Sequence, residues 1–173
     1  MAGNNPRRRG DRPVAPTAHG ARSELPIPGG RVYFSRRYQF AAAHRMFRPE
    51  YSDAENARVF GKCSNPRGHG HNYQLTVTVA GEVDPKTGFC IDLAQLDKVV
   101  KERVLDRYDH RHLNLDTEDY TEQVATGENI AQQIWRLLEP ALPPGALHRI
   151  QLWETPNNSF DYYGERSARA IPR

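Results

Sequence analysis

The sequence predicts an α+β fold, an antiparallel four-stranded sheet with two helices packed on one of its faces. Two observations carry that expectation. Apolar residues alternate with period two toward both ends of the chain and follow helical spacing between them. The elements run strand, strand, helix, helix, strand, strand, with no internal repeat. A chain of 173 residues suffices for one domain with a sizeable core.

The first strand runs from Val32 to His44, where Val32, Phe34, Tyr38, Phe40 and Ala42 share one parity. His44 ends the strand on that same apolar side. Residues 45–70 are polar and loop-rich, with a short helix expected near Asp53 to Val59. His71, Tyr73, Leu75, Val77 and Val79 then alternate with Asn72, Gln74, Thr76 and Thr78, which makes a second strand. Asp84 to Gly88 is a turn and Phe89 to Ile91 a short extended piece. Asp92 can cap a helix carrying Leu93, Leu96, Val99, Val100, Val104 and Leu105 on one stripe. Asp109 to Asp116 reads as a loop. Thr126 can cap a second helix, with Ile130, Ile134, Leu137 and Leu138 facing inward and Pro143-Pro144-Gly145 ending it. Leu147 to Glu154 and Ser159 to Tyr163 complete the sheet.

Residues 1–30 differ in kind. Five Pro, five Gly and five Arg (Arg7, Arg8, Arg9, Arg12 and Arg22) stand against two acids, Asp11 and Glu24. That stretch reads as a disordered, solubilising tail, and the folded domain is expected over residues 31–173. The tail accounts for the whole net charge of +3. A basic tail touches acidic surfaces weakly, and nucleic acid is not the expected partner. No apolar run reaches the ~20 residues of a membrane span. Met1 is followed by polar residues, and two distant cysteines make no disulfide framework, so the expected location is cytoplasmic.

The chemistry concentrates between Cys63 and Tyr73. His69 and His71 are two apart, so on a strand their imidazoles project from one face. An antiparallel neighbour ending at His44 brings a third imidazole beside them. Three His with an open position suit a Zn²⁺ ion acting as a Lewis acid. Cys63 has three readings: a small buried hydrophobe, a fourth ligand closing a structural zinc module, or a free thiol serving as an acid/base. Asp109-His110 is either a proton-transfer pair or part of a solvated loop. Glu154, at the end of a strand, can accept two N–H bonds from an aminopyrimidine-like edge, or be an ordinary strand-end acid. Glu128 is explained equally by helix capping.

Six segments in order resemble the 6-pyruvoyltetrahydropterin synthase family. They are Phe40-Ala-Ala-Ala-His44-Arg, Cys63-x5-His69-Gly-His71-Asn-Tyr73, Gly88-Phe-Cys-Ile-Asp92-Leu, Asp109-His110-Arg-His-Leu113-Asn114, Thr126-Gly-Glu128-Asn129 and Trp153-Glu154-Thr155. The resemblance covers about Val32 to Gly164 and leaves the tail outside. It implies a tunnelling fold whose subunits join their sheets into trimeric barrels, stacked in pairs as a homohexamer with active sites at subunit interfaces. It implies a zinc lyase acting on 7,8-dihydroneopterin triphosphate. His44, His69 and His71 would bind zinc, and Cys63 would be the proton-abstracting thiol. Asp109 and His110 would be the second proton-transfer pair. Glu154 would anchor the pterin edge, with Thr126 and Glu128 close by.

Two branches of that family differ in product, one giving 6-pyruvoyltetrahydropterin and the other 6-carboxy-5,6,7,8-tetrahydropterin with acetaldehyde, in queuosine biosynthesis. The five residues between Cys63 and His69 look like the first branch, since the second typically has three. Arg45, Arg48 and Arg67 are candidates for the triphosphate. Two positions depart from the family pattern: His112, where Asn is frequent, and Cys90, where an aliphatic residue is usual.

Overall fold

The computed structural model describes residues 30–164. The expected tail over 1–30 lies outside the described residues but for Gly30, as does the chain from 165 onward. The strands are β1 (Val32–His44), β2 (His69–Gly81), β3 (Arg111–His112), β4 (Leu147–Thr155) and β5 (Asn158–Tyr162). They lie in one sheet in the order β3-β1-β2-β4-β5. The helices are α1 (Asp53–Phe60), α2 (Leu93–Val100), α3 (Asp106–Tyr108), α4 (Leu113–Asp116) and α5 (Gly127–Leu138).

The α+β class matches the expectation, and the strand count rises from four to five. β3 pairs in parallel with Ala42 and Ala43 of β1, whereas all other neighbours are antiparallel. Two residues are too few to display a period, so Asp109 to Asp116 reads as a loop in sequence. Pairing with β1 and the full burial of Leu113 convert it into β3 followed by the single turn α4. Phe89 to Ile91 joins no strand. α5 stops at Leu138, short of Pro143, and a 3₁₀ turn over Glu139–Ala141 follows. Pro140 accounts for this, since its ring cannot continue an α-helix.

Asp92 accepts from the N–H groups of Ala94 and Gln95 and starts α2. The helix continues through a π turn over Lys101–Leu105 into α3, so Leu96, Val100, Val104 and Tyr108 form one fully buried row. That row and Ile130, Ile134 and Leu138 of α5 pack on Phe40, Tyr73, Leu75, Val77, Ile150 and Leu152 of the sheet. Each large side chain so buried contributes about 1.5–3 kcal/mol. The loop before α5 is pinned by Asp119, which accepts from Arg107, from Tyr108 Oη at 2.8 Å and from Gln133 at 3.1 Å. Burial opposes its charge, yet the Arg107 and Tyr108 bonds hold its carboxyl below the usual range. β3 covers β1 only at Ala42 and Ala43, so most of that edge, like the outer edge of β5, is unpaired among the described residues.

Candidate active site

Register brings the imidazoles together. β1 pairs with β2 so that His44 faces His69 and Ala42 faces His71. All three rings project to the helix side, at the end where β1 finishes and β2 starts. Their nitrogens form the described residues' one group with metal-binding geometry, all within 4.8 Å of each other. His44 is wholly buried, and its Nδ1 donates to the Ala125 carbonyl at 2.6 Å. That bond commits the ring's proton, so Nε2 turns its lone pair toward His69 Nε2, 3.1 Å away. Two nitrogens on one tetrahedral ion stand about 3.3 Å apart, given metal–nitrogen lengths near 2.05 Å.

Electrostatics favour the same use. Burial lowers the His44 pKa to about 4, and lowers those of His69 and His71 in the same direction. Each shift favours the neutral ring, the form that metal ligation requires. His71 Nε2 is buried with no hydrogen-bond partner, and so is Glu154 Oε1. Orphaned buried polar atoms facing each other are rare in folded proteins and mark a place for a bound group. The residues thus fit a transition-metal ion bound by three imidazoles.

Glu154 stands at an irregularity of the β4–β5 ladder, between the pairs Trp153–Ser159 and Thr155–Asn158. A bulge of this kind re-aims a side chain. The carboxylate lies on the core side, 3.6 Å from His44 Nε2 and 3.9 Å from His71 Nε2. Burial raises its pKa; His69 opposes the rise and Glu128 adds to it. The Tyr73 phenol is pushed upward by burial first, then by Glu154, Tyr120 and Cys63.

Cys63 is a half-buried free thiol outside the imidazole group. Its loop is tied to the continuation of β1 by Met46 N–H to Cys63 O at 2.9 Å and by Arg45 Nε to Ser64 O at 2.9 Å. Arg45 also lies over the Phe47 ring at 4.3 Å, so it braces the loop, while Arg48 and Arg67 are exposed. Gly68 hinges the loop into β2 at φ 68°, and a Cβ there would meet His112 Nε2 and the His44 carbonyl below 3 Å. His112 therefore packs against this hinge, behind the imidazole group.

No hydrogen bond joins Asp109 or His110 to Cys63. Asp109 Oδ1 accepts from Ala41 N–H at 2.8 Å, which lowers its pKa, and Oδ2 meets His110 Nδ1 at 3.0 Å. His110 takes φ 59° with its ring 83% exposed. A non-glycine residue held there is a strained, over-determined position of the kind found at functional sites. His110 and His71 line a common groove of about 450 Å³ beside β3.

Thr126 caps α5, and Glu128 is exposed in its first turn, on the side of Glu154. Both are held by a close approach, because a Cβ on Gly127 would fall 2.0 Å from the Phe160 ring of β5. Gly127→Ala should therefore cost about 1–3 kcal/mol, read as a lower denaturant midpoint. An unchanged midpoint would mean that Phe160 swings away freely. The sequence reading missed the Ala125 carbonyl and the Tyr73 phenol. Backbone carbonyls carry no residue signature, and Tyr73 reads as core by its parity.

Three imidazoles converging on the core side of an α+β sheet, with a free thiol and a buried carboxylate alongside, define a candidate metal-dependent enzyme site. The sequence pattern of 6-pyruvoyl tetrahydropterin synthase matches residues 33–165. The chain belongs to that family. It is 45% identical over 140 residues to a human protein named 6-pyruvoyl tetrahydrobiopterin synthase, covering 79% of this chain and 97% of that one. It is 30% identical over 122 residues to 6-carboxy-5,6,7,8-tetrahydropterin synthase of Haemophilus influenzae, covering 59% of this chain and 84% of the other. The solved structure of Caenorhabditis elegans 6-pyruvoyl tetrahydropterin synthase superposes with a TM-score of 0.76 at 43% identity, over 79% of this chain and 98% of that chain.

Proposed function

We propose that the chain is a zinc-dependent lyase that converts 7,8-dihydroneopterin triphosphate to 6-pyruvoyltetrahydropterin with loss of triphosphate. The observation that carries this reading is the group of three converging imidazoles, from which Cys63 is left out. His44, His69 and His71 would hold the ion, and a zinc ion so held supplies Lewis acidity toward the substrate's hydroxyl-bearing side chain.

Cys63, as thiolate, takes a proton from a side-chain carbon, and the triphosphate leaves with the electron pair of its C–O bond. Asp109–His110 moves protons on the other face, so hydrogens lost by the side chain are gained by the ring. The oxidation is internal to the substrate, and its balance needs no external oxidant. Glu154 accepts N–H donors of the aminopyrimidine edge, which would satisfy its orphaned oxygen. Thr126 and Glu128 border that pocket.

The sheet edges, largely unpaired among the described residues, support joining of sheets between neighbouring copies, as in a homohexamer of two stacked trimers with sites at subunit interfaces. The family match, beginning at residue 33, supports reading residues 31–173 as the pterin synthase domain and the first thirty as an accessory extension. No helix among the described residues is long and apolar enough to cross a membrane, and we assign the cytoplasm as its location.

The alternative product, 6-carboxy-5,6,7,8-tetrahydropterin with acetaldehyde, is favoured less by the five-residue gap between Cys63 and His69. A purely structural zinc module would need Cys63 among the ligand atoms, where it is not found. The deciding experiment is incubation of the purified protein with 7,8-dihydroneopterin triphosphate and mass analysis of the products. A pyruvoyl pterin with triphosphate is expected. A carboxylated pterin with acetaldehyde would overturn the assignment.

A further inference from the structure

The far nitrogen of the buried His44 ring is held by one bond, from Nδ1 to the Ala125 carbonyl, while Nε2 faces His69 Nε2 at 3.1 Å. A carbonyl holds a ring only as firmly as its own peptide is held. Ala125 is the middle residue of a three-residue turn closed by Thr126 N–H to Val124 O at 2.8 Å. Such a turn, with its single bent bond, is a weak clamp by itself. A second donor reaches the same carbonyl: Asn129 Nδ2 to Val124 O at 2.8 Å. Asn129 lies in the first turn of α5, and its own N–H donates to Thr126 Oγ1 at 3.3 Å. The turn at Ala125 is thereby bolted to the rigid helix on both sides.

We propose that Asn129 is a positioning residue for the metal centre: its side-chain amide locks the Ala125 turn, and the locked carbonyl keeps His44 Nε2 aimed at His69 and His71. This rests on the metal-binding reading of the three imidazoles. The Asn129 side chain bonds to no imidazole; it acts through the Val124 carbonyl. Groups that fix the far nitrogen of a ligating histidine set metal affinity, and losing one typically weakens binding about 10–100-fold. The competing account is that Asn129 only satisfies a carbonyl next to a helix start and is neutral toward the metal.

The test measures zinc affinity of the stripped full chain by competition with a chromophoric chelator. Asn129→Asp is the informative variant. It keeps the size of the side chain, cannot donate to Val124 O, and carries a charge that the first turn of a helix tolerates well. The expected result is zinc binding weakened about 10–100-fold, with an unchanged melting temperature of the stripped protein. In a His44→Ala background the same substitution should change zinc affinity less than about twofold, because the route through His44 is gone. Unchanged affinity for Asn129→Asp, or an equal drop in the His44→Ala background, overturns the proposal and leaves the metal reading intact. If the unmodified chain binds no zinc, the metal reading fails and this inference with it.

Discussion

Replacing Cys63 with alanine is expected to leave the fold and bound zinc in place while lowering turnover about 10²–10⁴-fold. The side chain is half-buried and outside the imidazole group, so neither the core nor the ligand set loses a member. Its loop is held by main-chain and Arg45 bonds that survive truncation of the thiol. On the proposed mechanism, what disappears is the group that accepts the substrate's proton. Zinc content by elemental analysis and single-turnover kinetics would check both halves. A variant that loses its zinc would convert Cys63 into a ligand and the centre into a structural one.

Removal of the metal is expected to act at least as strongly. Chelation should lower turnover by about 10³-fold or more, since Lewis-acid stabilisation is worth several kcal/mol and each 1.36 kcal/mol is a factor of ten. Added zinc should restore it. His71→Ala should behave like the chelated protein but resist rescue. It is the least entangled of the three candidate ligands to remove: His44 is wholly buried and bonded to Ala125, whereas His71 Nε2 has no hydrogen-bond partner to lose. Full turnover by the zinc-free protein, with metal content measured on the same sample, would remove zinc from the mechanism.

The sheet and both long helices were legible because burial is periodic in them. Val32 to His44 came out to the residue, and Asp92 and Thr126 cap their helices as their side-chain chemistry predicts. The convergence of His44, His69 and His71 was legible for the same reason, since parity and antiparallel pairing fix three side chains at once. β3 was not, because its two residues owe their pairing wholly to the neighbouring Ala42 and Ala43. The aim of Glu154 depends on a ladder irregularity that alternation does not encode.

The ring cluster also says something about how the chain finds its alignment. Sliding β1 past β2 by one residue would turn one partner's histidines to the opposite face of the sheet. A captured ion would therefore reward a single hairpin alignment over its near neighbours. The catalytic centre would then double as a proofreader of strand pairing, active before any substrate arrives.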